Sequence, residues 1–299
     1  MTTSNRAGMP ALHLLLALAV MAVWGTNFVV IKQALGHLPP LTLATLRFAF
    51  AFLPFALFFK RPAVSWANLA TYGVLIGAGQ FGLLFTAMRS DITPGLASLV
   101  VQVQVFFTIG LSMRLSGERV APYQLAAMAL AAGGLGTIAL HTNGSATPLG
   151  LALVVGAALC WALGNMTARA AGPVNMLAYV VWSSLFAIPP LLGLALLTEG
   201  WPRISAGIEA ADSLTWAAVV WQSVGNTMFG YAAWGWLLAQ HPAATVAPLS
   251  LLVPVFGLGS SVLLMGEPLQ PWKLAAFALV MAGLSLGLLW PRFARRIPA

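Results

Sequence analysis

Apolar residues in this chain fall in long unbroken blocks. They show neither the alternation of half-buried strands nor the one-sided stripe of soluble helices. The blocks lie near 11–33, 41–59, 68–88, 94–114, 121–140, 148–168, 176–197, 214–239, 243–265 and 271–290. Each is close to the ~20 residues that carry an α-helix across a bilayer core. The pattern predicts ten spans and an all-α integral membrane fold. Between the blocks sits turn chemistry: Gly36 to Pro40, Lys60-Arg61-Pro62, Asp91 to Pro94, Asn143-Gly144-Ser145, Gly172-Pro173 and Gly266 to Pro271. The long connection, about 198–213, holds Glu199, Arg203, Glu209 and Asp212. The block at 11–33 is longer than a usual signal-peptide core and similar blocks follow, so it reads as the first span.

Composition strengthens this picture. Of 299 residues, 60% are hydrophobic and 7% charged, and mean hydropathy is +0.90. Soluble domains carry about 25% charged residues, so lipid must cover most of this surface. The net charge of +8 does not mark a nucleic-acid binder, because the basic residues form no stripe with interleaved aromatics. They cluster at block ends, where topology signals sit. With the N-terminus inside, Arg6, Lys60, Arg61, Arg114, Arg119, Arg169, Arg292, Arg295 and Arg296 are cytoplasmic, while Lys32, Arg89, Arg203 and Lys273 are external. That asymmetry predicts a multi-pass protein of the bacterial inner membrane with both termini cytoplasmic. Trp66, Trp201, Trp216, Trp272 and Trp290 lie near span ends, as interfacial anchors do. The single cysteine, Cys160, makes no intrachain disulfide, and no metal-ligand cluster appears. No cofactor is expected, and a monomer is the expected state.

The halves repeat. A shift of 149 positions superposes Phe107 on Phe256, Gly110 on Gly259, Gly117-Glu118 on Gly266-Glu267, Pro122 on Pro271 and Gly134 on Gly283. Trp24 and Asn27 echo Trp161 and Asn165, and Pro54 echoes Pro189. Each repeat has five spans, an odd number, so the second enters the membrane from the opposite side. Inverted repeats are a transporter architecture, with the substrate site near the midplane between them. The predicted organisation is a first repeat over 1–140, an inverted second repeat over 148–290 and a basic tail over 291–299.

Four stretches carry a family resemblance: WGTNFVVIK (24–32), PPLTLATLRF (39–48), PGLASLVVQVQVFFTIGLSMRLSGE (94–118) and VAPLSLLVPVFGLGSSVLLMGE (246–267). The chain resembles the EamA family of the drug/metabolite transporter superfamily. It is similar to bacterial exporters of amino acids and cysteine-related metabolites, including those that export aromatic amino acids. The resemblance implies ten helices, cytoplasmic termini and efflux, and it fixes substrate poorly.

Polar groups inside spans are costly unless they line a cavity or pair. Trp24 and Asn27 share one helix face, and Trp161 and Asn165 share another. The two faces either build a central site or glue helices together. Gln102 and Gln104 point apart, and Gln102 carries the more cavity-like stripe with Ser98 and Phe106. Gln222 pairs with Asn226, and Tyr231 with Trp234, by helical spacing. Gln80 sits among Gly77, Gly79 and Gly82, which suits close packing as well as a path lining. Arg47 lies within the second span, with Trp182 at the matching repeat position. It serves either a substrate carboxylate or a helix end. Lys32 is placed to snorkel. Glu118 and Glu267 precede helices starting at Pro122 and Pro271, so each carboxylate is expected to complement its own helix dipole. Pro248 and Pro254 interrupt the ninth span, either as a gating hinge or as packing.

No Asp or Glu lies within any span, and His13, His37, His141 and His241 sit at edges or in loops. Coupling through a membrane-buried carboxylate is therefore not expected. Facilitated efflux, exchange and coupling through a loop group stay open. Enzyme motifs such as H-E-x-x-H and G-x-S-x-G are missing. The expected function is export of a small metabolite, foremost an amino acid, by alternating access around a central cavity. Export of sugars, nucleosides or organic-cation drugs is the alternative.

Overall fold

The computed structural model describes residues 9–116, 121–141, 145–241 and 246–294. Eight helices are long and apolar enough to cross a membrane: Ala11–Ala34, Pro40–Leu57, Trp66–Ser90, Pro94–Leu111, Pro122–Leu140, Pro148–Ala170, Met176–Thr198 and Pro271–Trp290. The other two predicted spans are also helical. The eighth runs continuously over 213–240, and the ninth includes a shorter apolar helix, Leu249–Met265. Among the described residues no strand forms beyond one antiparallel bridge, Ile92 to Ala146. The fold is all-α, as the block pattern requires. The long connection after the seventh span contains a short helix of its own, Trp201–Ala210.

Helix starts follow local chemistry. Pro40, Pro94, Pro122 and Pro148 occupy the first turn, where a missing N–H costs nothing. The third span is capped by Ser65, whose hydroxyl accepts the Asn68 N–H at 3.2 Å. The eighth is capped by Asp212, which accepts the Thr215 hydroxyl at 2.7 Å and the Thr215 N–H at 2.8 Å. Those bonds to Thr215 hold the exposed Asp212 carboxyl below its usual range.

The packing has two-fold character. First packs on ninth and sixth on fourth; third packs on sixth and eighth on first. Second meets seventh, fourth meets ninth, and fifth meets tenth. Exchanging the halves maps these pairings onto themselves. Small residues permit the closest crossings. A Cβ on Gly134 would stand 2.6 Å from Val280 Cγ2, and one on Gly283 2.6 Å from the Ala127 carbonyl. The repeated glycines therefore serve the fifth–tenth contact from both sides.

Two pairs of spans depart from α geometry in step. The third changes to π-helix over Leu75–Gly82 and the eighth over Gln222–Phe229. Each π segment follows a nine-residue α-helical start. The fourth span tightens to a 3-10 turn over Val101–Val103, and the ninth over Ala247–Leu251. Pro254 lies in the first turn of the helix that follows, Leu252–Met265, where proline breaks no helical bond. The fourth span tightens with no proline near the turn, its only proline being Pro94 in the first helical turn.

The span ends on one side of the molecule are tied to each other. Glu199, after the seventh span, accepts the Leu41 and Thr42 N–H groups at 2.6 and 3.0 Å. Lys32 does not simply snorkel; its Nζ donates to the Met88 and Arg89 carbonyls at 2.8 and 2.7 Å, capping the third span. Glu267 departs from expectation. It accepts from the Thr93 hydroxyl at 2.6 Å and the Gly95 N–H at 3.1 Å, at the start of the fourth span. It therefore complements the dipole of a helix in the opposite repeat. Ser261 donates a short hydrogen bond to it, and Lys273 pairs with it at 2.9 Å. Burial alone would raise the Glu267 carboxyl, but the bonds from Ser261, Thr93 and Lys273 outweigh it and hold the group below its ordinary range. Glu118 lies outside the described residues.

Candidate functional site

Arg47 is buried where the second span meets the seventh and eighth. Its Nη1 donates to Gln222 Oε1 at 2.5 Å and its Nη2 to Thr227 Oγ1 at 3.4 Å. The guanidinium carbon lies 3.8 Å from the Phe81 ring centroid and 5.6 Å from that of Phe48. The aromatic faces stabilise the cation. From the opposite side Asn27 Nδ2 donates to Gln222 Oε1 at 3.4 Å. Ser223 donates to the Arg47 carbonyl at 2.9 Å, fixing the second span to the eighth.

The π segment of the eighth span makes this arrangement possible. Residues 222 and 227 are five apart, which places them on different faces of a helix with 3.6 residues per turn. The i→i+5 register of a π-helix returns them to one face. The Thr227 hydroxyl also donates to the Gln222 carbonyl at 3.0 Å, inside the same turn. The Asn226 carbonyl accepts the Trp24 indole N–H at 3.2 Å.

Beside Arg47 is a cavity of about 10 Å³, lined among others by Tyr72, Ser183, Ser184, Thr227 and Tyr231. That is room for about one water molecule, so no metabolite fits this conformer. Four buried polar atoms around the cluster have no hydrogen-bond partner: Arg47 Nε, Gln222 Nε2, Asn27 Oδ1 and Ser183 Oγ. Native proteins satisfy most buried polar groups, so a group of four marks the place.

The predicted residues separate into neighbourhoods. Trp24, Asn27, Arg47, Asn226 and Tyr231 come together here, with the Trp24 ring 5.8 Å from Tyr231 and 5.6 Å from Trp234. Gln80 is buried on the π segment that carries Phe81. Asn165 belongs to a second cluster between the sixth and fourth spans, where its Nδ2 donates to Gln104 Oε1 at 3.1 Å and Thr108 Oγ1 at 3.3 Å. Trp161 packs against the apolar core. No hydrogen bond among the described residues joins the two aromatic–amide faces. Gln102 is buried in the 3-10 turn of the fourth span. Trp182 donates to the Phe59 carbonyl at 2.8 Å and packs on Phe52 and Trp66, away from Arg47. Pro254 is buried in the ninth span, and the Pro248 side chain lies outside the described residues. Thr227, Phe81, Tyr72, Ser183 and Ser184 were not anticipated, and Gln222 was matched to Asn226 instead of to Arg47. Among the described residues no cluster of three metal-ligating side chains exists.

The EamA-like transporter family matches residues 11–140 and 148–289, nearly the whole chain in two copies. The chain belongs to this family. As an EamA-like transporter it is 43% identical, over 90% of its length and 92% of the relative's, to a probable amino-acid metabolite efflux pump of Salmonella typhimurium. A protein of the same description from Escherichia coli is 40% identical, over 92% of this chain and 95% of its own. A solved crystal structure superposes with a TM-score of 0.64, covering 97% of this chain and 99% of that one at 18% identity, and shows the same fold. This EamA-like protein is a multi-pass membrane transporter and not an enzyme.

Proposed function

We propose that this transporter exports small amino-acid-type metabolites by alternating access, with Arg47 receiving the carboxylate of the cargo. The observation that carries the reading is the buried guanidinium, held between the repeats by neutral partners beside a group of unsatisfied polar atoms. An intramembrane arginine is expensive and marks a functional site by default. A guanidinium matches a carboxylate fork. It repels cationic drugs and gives neutral sugars or nucleosides no matching charge. The relatives described as amino-acid metabolite efflux pumps support the same class of cargo. Cargo enters when the repeats separate around the cluster, because the closed cavity is too small. In this reading both termini are cytoplasmic and the membrane is the bacterial inner one.

Counterflow in proteoliposomes tests it. Arg47→Gln is expected to abolish saturable exchange of carboxylate-bearing amino-acid metabolites in protein that elutes as a folded species. Wild-type rates in Arg47→Gln would remove the site assignment.

A further inference from the structure

We infer that the cargo is a net monoanion, an amino-acid metabolite with a free carboxylate and no free ammonium, and that the membrane potential drives it outward. The inference rests on the reading of Arg47 as the cargo anchor. It adds the cargo's charge and the source of the driving force.

Charge balance is the first argument. The six acidic residues, Asp91, Glu118, Glu199, Glu209, Asp212 and Glu267, all lie in connections. The two ion pairs among the described residues, Glu267–Lys273 and His37–Asp212, are at the external ends. Arg47 is met by an amide, a hydroxyl and two aromatic rings. A guanidinium keeps its charge at every physiological pH. The closed cluster therefore carries one unbalanced positive charge. One carboxylate cancels it. A zwitterion leaves the charge in place and brings an ammonium into a lining that offers hydroxyls and aromatic faces but no carboxylate. Uncompensated buried charge is the most costly outcome in a low-dielectric site.

Geometry is the second. Nη1 is committed to Gln222 at 2.5 Å, Nη2 makes only a 3.4 Å contact, and Nε has no partner. The Nε–Nη2 edge is therefore the open fork, and two parallel N–H···O bonds from it to a carboxylate are the bidentate arrangement.

The driving force follows. Arg47 returns with the empty carrier, so the charge moved in each cycle is the cargo's own. The interior of a bacterium is electrically negative, and one charge crossing 100 mV is worth about 2.3 kcal/mol. About 60 mV then sustains a tenfold outward gradient of a monoanion without any proton being moved.

The test uses the full-length protein in liposomes under a potassium diffusion potential set by valinomycin, with protein-free vesicles as background. The probes are labelled N-acetylmethionine, methionine and methionine amide. The expected result is saturable movement of N-acetylmethionine out of the negative compartment, reaching a tenfold gradient for each ~60 mV imposed. Methionine moves more slowly, and the amide is not carried. Equal, potential-independent movement of methionine and N-acetylmethionine would overturn the monoanion inference and leave the exporter reading standing. If none of the three moves in folded protein, both readings fall. The charge series is read on the wild type, so no variant has to fold.

Discussion

Gln222 is the residue on which the buried charge depends. Its Oε1 accepts from both Arg47 and Asn27, so Gln222→Leu strands a guanidinium and an amide at once. The expected cost is about 1–3 kcal/mol for each orphaned group, more for the charged one, read as a lower unfolding temperature in detergent. Gln222→Glu is the informative contrast. It places a carboxylate against Arg47, so the unfolding temperature rises while counterflow is lost, because the anchor is already neutralised. At this scale the sequence was only partly legible. Arg47 was visible because a lone charge in an apolar block is conspicuous. Its partnership with Gln222 and Thr227 was hidden, because helical spacing assumes an α register and the eighth span is π just there. Trp182 was placed by repeat position, yet its indole is engaged with Phe59 instead.

Among elements, the paired departures from α geometry are the feature that the block pattern does not announce. The ten spans and their two-fold arrangement were legible because the block lengths and the Gly-Glu-x-x-x-Pro repeat are strong signals. The breaks were not, since π and 3-10 turns arise from how helices cross. The prolines of the ninth span drew attention as a hinge, but Pro254 sits in a first helical turn and the fourth span tightens without a proline at its break. Pro254→Ala is therefore expected to leave counterflow close to wild type and to change the unfolding temperature little. A loss of exchange with unchanged stability would restore the hinge.

For the whole molecule, the halves are tied to each other on one side through Glu267, which bonds Thr93 and Gly95 of the opposite half. Its folded carboxyl binds a proton less readily than the unfolded one. Its contribution to stability is then fully present above the ordinary value of 4.5 and is lost as pH falls through the lower, folded value. Unfolding temperature should hold steady through mild acid and drop only below about pH 4.5 through this group. Glu267→Gln should remove that acid step and lower stability at neutral pH by about 3–5 kcal/mol, because Lys273 is left buried and unpaired. The two π segments also bear on the symmetry of the molecule. Each begins nine residues into its span and lasts eight. The caps that precede them, Ser65 and Asp212, stand at the same distance on opposite faces of the membrane. A half-turn that exchanges the two halves therefore carries one widened turn onto the other, so at this depth the molecule looks alike from either side.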